Sequence, residues 1–162
     1  MLRLAPFIVI GTGLFLGGFC RAEECAPKAT YVLVHGDSLW LCRNGASDGN
    51  FTISYGRSGY GKTQEGDNKT PVGRYPLGIP RGSENYGTFI PVEYPTPEQR
   101  KKGYTGADIG IHGPPRKTKW LGRMNAWLDV TRGCVMVASD DIIDKIAAWV
   151  KTRHVRLVEI RE

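Results

Sequence analysis

Cysteine and histidine are scarce in this chain, with four and three among 162 residues. No short-spaced ligand pair accompanies Cys134, His112, His35 or His154, so a zinc site built from them finds no support in the spacing. No run of Lys or Arg marks a nucleic-acid surface, and none is expected. The one extended apolar stretch, residues 4–19, is broken by glycines and falls short of the ~20 residues that a membrane-spanning helix needs. There is no internal repeat, and no linker divides the chain after its N-terminal segment. Helical periodicity is also thin, appearing convincingly once.

What is present begins with an export signal. Arg3 supplies a positive start, residues 4–19 an apolar region, and Cys20-Arg21-Ala22 the small residues read at a cleavage site. Residues 1–22 are therefore read as a signal peptide, with an uncleaved anchor as the alternative. The expected location is the periplasm, with membrane contact only before cleavage. Residues 23–29 form a short tail, and residues 30–162 the working domain, a size that can bury a real core. The net charge of +6 includes Arg3 and Arg21, so removing the signal leaves +4. That modest excess fits an anionic polymer as partner or ordinary solubility equally well.

Cleavage leaves Cys25, Cys42 and Cys134, an odd number for an oxidising compartment. The economical pairing joins Cys25 to Cys42 and spares Cys134; the alternative leaves all three reduced.

Glycine is abundant, 21 residues set mostly between short apolar runs, which favours many strands joined by turns. Tyr31-Val32-Leu33-Val34 and Leu39-Trp40-Leu41-Cys42 flank Gly36-Asp37-Ser38 as a hairpin. Asn44-Gly45 starts another turn before a strand at 51–55. Further strands are expected at 73–79, 88–94, 109–112 and 134–138, with a closing strand at 155–160. The spacing of Ile142, Ile143, Ile146, Trp149 and Val150 predicts one helix over 139–152, with Ser139 as N-cap, Asp140 and Asp141 in the first turn, and Trp149 in the core. Two long Gly/Pro-rich stretches, 56–71 and 114–125, have the length of binding loops. The second carries Arg116, Lys117, Lys119 and Trp120, suited to a carboxylate-rich peptide, a sugar or plain solvent.

His112 and Cys134 are the candidates for chemistry. They lie in two glycine-marked segments, Ile111-His112-Gly113 and Asp129-Val130-Thr131-Arg132-Gly133-Cys134-Val135. A thiol with an unperturbed pKa of about 8.5 becomes a nucleophile when an imidazole takes its proton or pairs with its thiolate. Gly133 lets the backbone bend so that N–H groups near Gly133 and Cys134 can meet a developing oxyanion. Against this stands the plainer reading of a small buried cysteine and a hydrogen-bonded structural histidine.

Three blocks tip the balance. Gly66-Asp67-Asn68-Lys69-Thr70-Pro71-Val72-Gly73-Arg74-Tyr75, Ile111-His112-Gly113 and Thr131-Arg132-Gly133-Cys134-Val135 resemble, in order, segments of the L,D-transpeptidase catalytic domain (YkuD-type) family. Arg132 stands where many members have a second histidine, and Met136 where many have Arg or Asn. The Asp-x-Thr-x-Gly-Cys form, together with Val92-Glu93-Tyr94-Pro95, resembles a YafK-like branch.

The resemblance implies a mainly β fold, a mixed or sandwich-like sheet with one main C-terminal helix. It implies Cys134 as nucleophile, His112 as proton shuttle and the main-chain carbonyl of Gly113 as the group that orients His112. Thr131, Arg132 and Gly133 match oxyanion or substrate-binding positions, while Asp129 is left to orient His112 or Arg132 or to cap the loop. The implied substrate is the peptide stem of peptidoglycan, with attack on the diamino acid–D-alanine bond through a thioester. The acyl group then passes to an amine, giving a 3→3 cross-link or protein attachment. With water as acceptor, the site is a carboxypeptidase or a hydrolase that releases wall-linked lipoprotein. A non-catalytic wall-binding protein is the contrasting reading. No metal or organic cofactor is called for. Asp67 and Thr70-Pro71 read as structural, with Asp67 closing an Asx-turn.

Overall fold

A computed structural model describes residues 25–117 and 131–162. The expected signal peptide, most of the 114–125 stretch with Lys119 and Trp120, and Asp129 lie outside these residues. The described chain forms β1 (Thr30–His35), β2 (Ser38–Arg43), β3 (Ala46–Ser54), β4 (Gly73–Pro76), β5 (Arg81–Ser83), β6 (Gly87–Pro91), α1 (Pro97–Lys101), β7 (Gly110–His112), β8 (Val135–Val137), α2 (Asp140–Thr152) and β9 (Leu157–Arg161). The strands make one mixed sheet in the order β4-β9-β1-β2-β3-β8-β7-β6-β5. Two pairs are parallel, β1 with β9 and β7 with β8.

The sheet curls because its far strands meet again. Leu77, just past β4, bridges Val92, just past β6, and the Gly78 N–H donates to the Pro91 carbonyl at 2.8 Å. Inside the curl lies the larger core, with α2 packed into it through Ile143, Ile146, Ala147 and Val150. Strand β1 is buried on both faces, which explains its unbroken apolar run. Val32 and Val34 join the inner core, while Tyr31 and Leu33 turn outward into a second cluster with Cys25 and Cys42.

Turn chemistry sets the first hairpins. Asn44 and Gly45 have φ of 51° and 88°, and a two-residue loop with both central φ positive matches the twist of flanking strands. Arg43 therefore pairs directly with Ala46, and β3 starts five residues before the expected 51. Elsewhere strands are shorter than expected: β4 ends at Pro76, β6 at Pro91, and β8 covers only Val135–Val137. Prolines explain two of these ends, since each removes a ladder donor.

Helix α2 follows its sequence signals. Ser139 caps it, its hydroxyl accepting from the Ile142 N–H at 3.4 Å. Trp149 is a correction: it is half-buried at the core's margin, and its indole N–H donates to the exposed Asp48 carboxylate at 3.0 Å. An indole has to satisfy that donor, which keeps one edge at the surface. The short helix α1 has no counterpart in the sequence reading. Thr96 and Gln99 form a reciprocal capping box around it with Pro97 at its start, yet five residues bury nothing and leave no apolar period.

Cys25 and Cys42 are joined by a disulfide, and Cys134 is free. The bridge pins the tail to β2 over the outer cluster. With a sequence separation of 17 it closes a loop worth about 3 kcal/mol in the chain-entropy account. Urea unfolding with and without reductant is expected to differ by that amount, and the Cys25→Ser/Cys42→Ser variant should match the reduced protein. Coincident transitions would mean that the bridge adds no stability.

Candidate active site

The parallel pairing of β7 with β8 assembles the site. Ile111 lies opposite Val135 and His112 opposite Met136. Directly opposed residues face the same side, and side chains alternate along a strand, so His112, Met136 and Cys134 share one face. That face lines a cleft of about 530 Å³. Ile111, Val135 and Val137 point the other way into the core.

His112 is held from two directions. Its Nδ1 lies 2.6 Å from the Gly113 carbonyl oxygen. A carbonyl only accepts, so Nδ1 carries the proton and Nε2 is left as the basic nitrogen. The Tyr86 ring stacks on the imidazole with centroids 3.9 Å apart and planes 26° from parallel. Phe89 lies behind at 6.2 Å. Tyr86 sits in the β5–β6 turn and also lines the cleft.

Cys134 is partly exposed as a residue, with its sulfur inside the cleft. The thiol donates to the Asp108 carbonyl at 3.3 Å. Asp108 adopts φ of 55°, an unusual backbone state for a residue other than glycine. Burial pushes the Cys134 thiol up to about 11, although the Gly110 N–H and the Lys62 ammonium pull the other way. Burial likewise lowers His112 to about 4, against the Gly113 carbonyl, which favours the charged ring. Burial thus disfavours the charged form of both groups, which line the same cleft.

The loop before Cys134 is braced internally. The Thr131 hydroxyl donates to the Cys134 carbonyl at 2.8 Å and accepts from the Gly133 N–H at 3.3 Å. Gly133 N–H, read from the sequence as an oxyanion donor, is thus engaged in closing the loop, and so is the Thr131 hydroxyl. Gly133 has φ of 130°, and a Cβ there would stand 2.6 Å from the Lys69 carbonyl oxygen. Only glycine permits this approach. Arg132 is exposed at the cleft lining, and its charge reaches the Tyr86 hydroxyl.

The 56–71 stretch lines the cleft through Lys62, Glu65, Gly66 and Asn68. Asp67 organises it, accepting from the Thr63, Gln64 and Lys69 N–H groups and from the Lys62 ammonium. Burial opposes ionisation of Asp67, yet these four donors hold its carboxyl well below the usual range. Thr70 is fully buried, its hydroxyl accepting from the Gly56 N–H at 2.8 Å. Tyr86, Asp108 and Lys62 were not singled out from the sequence. Each reaches the site from a loop whose position depends on distant strands, so no local spacing marks them. Among the described residues no group of three His, Cys, Asp or Glu side chains is placed to hold a metal. No helix among them is long and apolar enough to cross a membrane.

Residues 29–160 match the family model described as YkuD, the L,D-transpeptidase catalytic domain. The chain belongs to this family. Comparison with curated proteins gives no match. Among solved structures, the chain is similar to the helical cell shape determining protein Pgp2 from Campylobacter jejuni, with 27% identity and a TM-score of 0.66, over 82% of this chain and 47% of that one. Bd1075 of Bdellovibrio bacteriovorus is 22% identical with a TM-score of 0.56, over 81% and 47% of the two chains. An L,D-transpeptidase from Stackebrandtia nassauensis is 13% identical with a TM-score of 0.53, over 85% and 58%. The last two likenesses concern the fold alone. The chain spans about half the length of Pgp2 and of Bd1075. The curled, mainly β sheet with one main helix is the YkuD-type fold that the motifs implied.

The neutral pair has a stability signature. Between pH 6.5 and 4 the unfolded imidazole of His112 binds a proton that the folded one refuses, so stability falls as pH drops through that window, by roughly 3 kcal/mol in all. Above the usual thiol range the unfolded Cys134 loses a proton that the folded one keeps, and stability falls again. Asp67 acts lower, its contribution being lost only as pH falls below the usual carboxylate range. Urea unfolding as a function of pH is expected to show a plateau between these limits. His112→Gln should flatten the decline between pH 6.5 and 4, and an unchanged slope would contradict the buried neutral imidazole.

Proposed function

We propose that Cys134 and His112 carry out cysteine acyl transfer on peptidoglycan stem peptides. The observation that carries this reading is the Gly113 carbonyl, which commits Nδ1 of His112 and leaves Nε2 as base on the cleft face that also bears the free Cys134. His112 Nε2 takes the thiol proton as Sγ attacks the carbonyl carbon of the diamino acid, the third residue of the stem. A neutral starting pair suits this order, because proton transfer and carbon–sulfur bond formation relieve each other's charge. The developing oxyanion is met by the Cys134 main-chain N–H, with Gly133 shaping the turn and Arg132 adding positive charge at the rim. Collapse expels D-alanine, whose amine takes the proton back from His112, and a thioester remains.

The same base then deprotonates the acceptor. An amine yields a 3→3 cross-link or an attached protein. Water yields an L,D-carboxypeptidase, or a hydrolase where the acyl group carries lipoprotein. Tyr86, stacked on the imidazole, holds the ring in register and shields Nε2 from bulk water. A wall substrate is supported by family membership and by a relative described as determining helical cell shape. Action in the periplasm is supported by the Cys25–Cys42 disulfide, a bond that persists outside the reducing cytosol.

Mass spectrometry of disaccharide-tetrapeptide incubated with the protein tests the reaction. Loss of D-alanine is expected with the wild type and not with Cys134→Ala, while His112→Gln should lower the rate by about 10² to 10⁴. A dimeric product would assign an amine acceptor, and a tripeptide would assign water. Equal D-alanine release by wild type and Cys134→Ala would sink the nucleophile assignment.

A further inference from the structure

Lys62 is an ammonium nearly removed from water within the cleft that holds Cys134. Its side chain is 3% exposed, and its Nζ donates to the Gln64 carbonyl at 3.0 Å and to Asp67 Oδ1 at 2.9 Å. An ammonium has three N–H donors, and Lys62 has no third acceptor among the described residues. Burying a charge with an unused donor is costly, so its retention calls for a partner. Asp67 answers the charge but not the third donor. Its carboxylate also accepts from three main-chain N–H groups and meets Lys62 through Oδ1 alone.

The opposite wall is cut away to admit the ammonium. At Gly106, with φ of 104°, a Cβ would stand 3.0 Å from Lys62 Cε and 3.6 Å from Nζ. Gly106 and Lys62 line the cleft together with Cys134 and Arg132. The two acidic lining residues, Glu65 and Asp108, are exposed, so water screens their charge while that of Lys62 is screened far less.

We propose that Lys62 binds a carboxylate of the acyl donor beside the scissile amide, making the site selective for stems in which that carboxylate is free. This rests on the acyl-transfer reading above and adds a specificity residue to it. A stem offers the terminal carboxylate of the leaving residue and, where the diamino acid bears one, the carboxylate on its side chain. Both present the same chemistry to Lys62: a charged acceptor for the third N–H and a counter-ion in a desolvated site. Converting the relevant one to a carboxamide removes the charge and turns two acceptor oxygens into one acceptor and one donor, which faces the ammonium unfavourably.

Binding separates this from turnover. Calorimetric titration of the Cys134→Ala protein would use three tetrapeptide stems: the free acid, the C-terminal carboxamide, and the stem amidated on the diamino acid. One of the two carboxamides is expected to bind about tenfold or more weakly than the acid, and which one names the carboxylate. In Cys134→Ala/Lys62→Met the discrimination should vanish, with all three binding at the weaker level. Asp67 keeps its three main-chain donors in that variant, and the comparison of stems on the lysine-containing protein needs no variant at Lys62. Equal affinity for all three stems, no binding of any, or discrimination that survives Lys62→Met would overturn the assignment. If binding discriminates as expected but the wild type releases no D-alanine, the acyl-transfer reading falls and the Lys62 subsite stands.

Discussion

Much of this molecule depends on one short parallel pairing, in which Ile111 and His112 of β7 lie opposite Val135 and Met136 of β8. Parallel strands in register place His112 against Met136, and the alternation of side chains then brings Cys134 to the same face. Nothing in the local chain enforces that neighbourhood. It is held by what lies behind it, where Ile111, Val135 and Val137 are packed into the inner core against α2. Each such side chain contributes on the order of 1.5–3 kcal/mol by leaving water. The curl of the sheet, closed by Leu77 against Val92, gives that core its far wall.

The same packing decides the electrostatics. Strands this short expose few polar groups, and aromatic rings from the β5–β6 hairpin cover the imidazole. Desolvation then outweighs local hydrogen bonds at both His112 and Cys134 and favours the uncharged form of each. Charge enters the cleft instead from Lys62, Glu65, Asp108 and Arg132, on loops outside these strands.

The legible parts of the fold were those with a local physical signature. The β1–β2 hairpin, the capped α2 helix and the glycine before Cys134 were all readable from the residues, whereas the Cys25–Cys42 bridge was favoured there but left open by the spacing. Strand ends were not, because they depend on where a partner strand stops or a proline interrupts the ladder. Helix α1 escaped because its signal is a cap without an apolar face. Trp149 was read by spacing alone, which ignores the indole N–H that reaches Asp48. Gly133 was rightly marked as a bend, but its N–H turned out to serve the loop through Thr131.

What the chain itself determined was chemical: a thiol, an imidazole, a glycine hinge and an organised Gly-Asp segment, in an order that carries the family. Those are properties of residue type and spacing, and they survive without coordinates. What only the tertiary structure decided was proximity and charge state. Tyr86 on His112, the Asp108 carbonyl at the thiol and Lys62 in the wall come from segments 26 to 72 residues distant from the Cys134 position. A pKa depends on the dielectric and donors that such segments bring, and no one-dimensional pattern contains them.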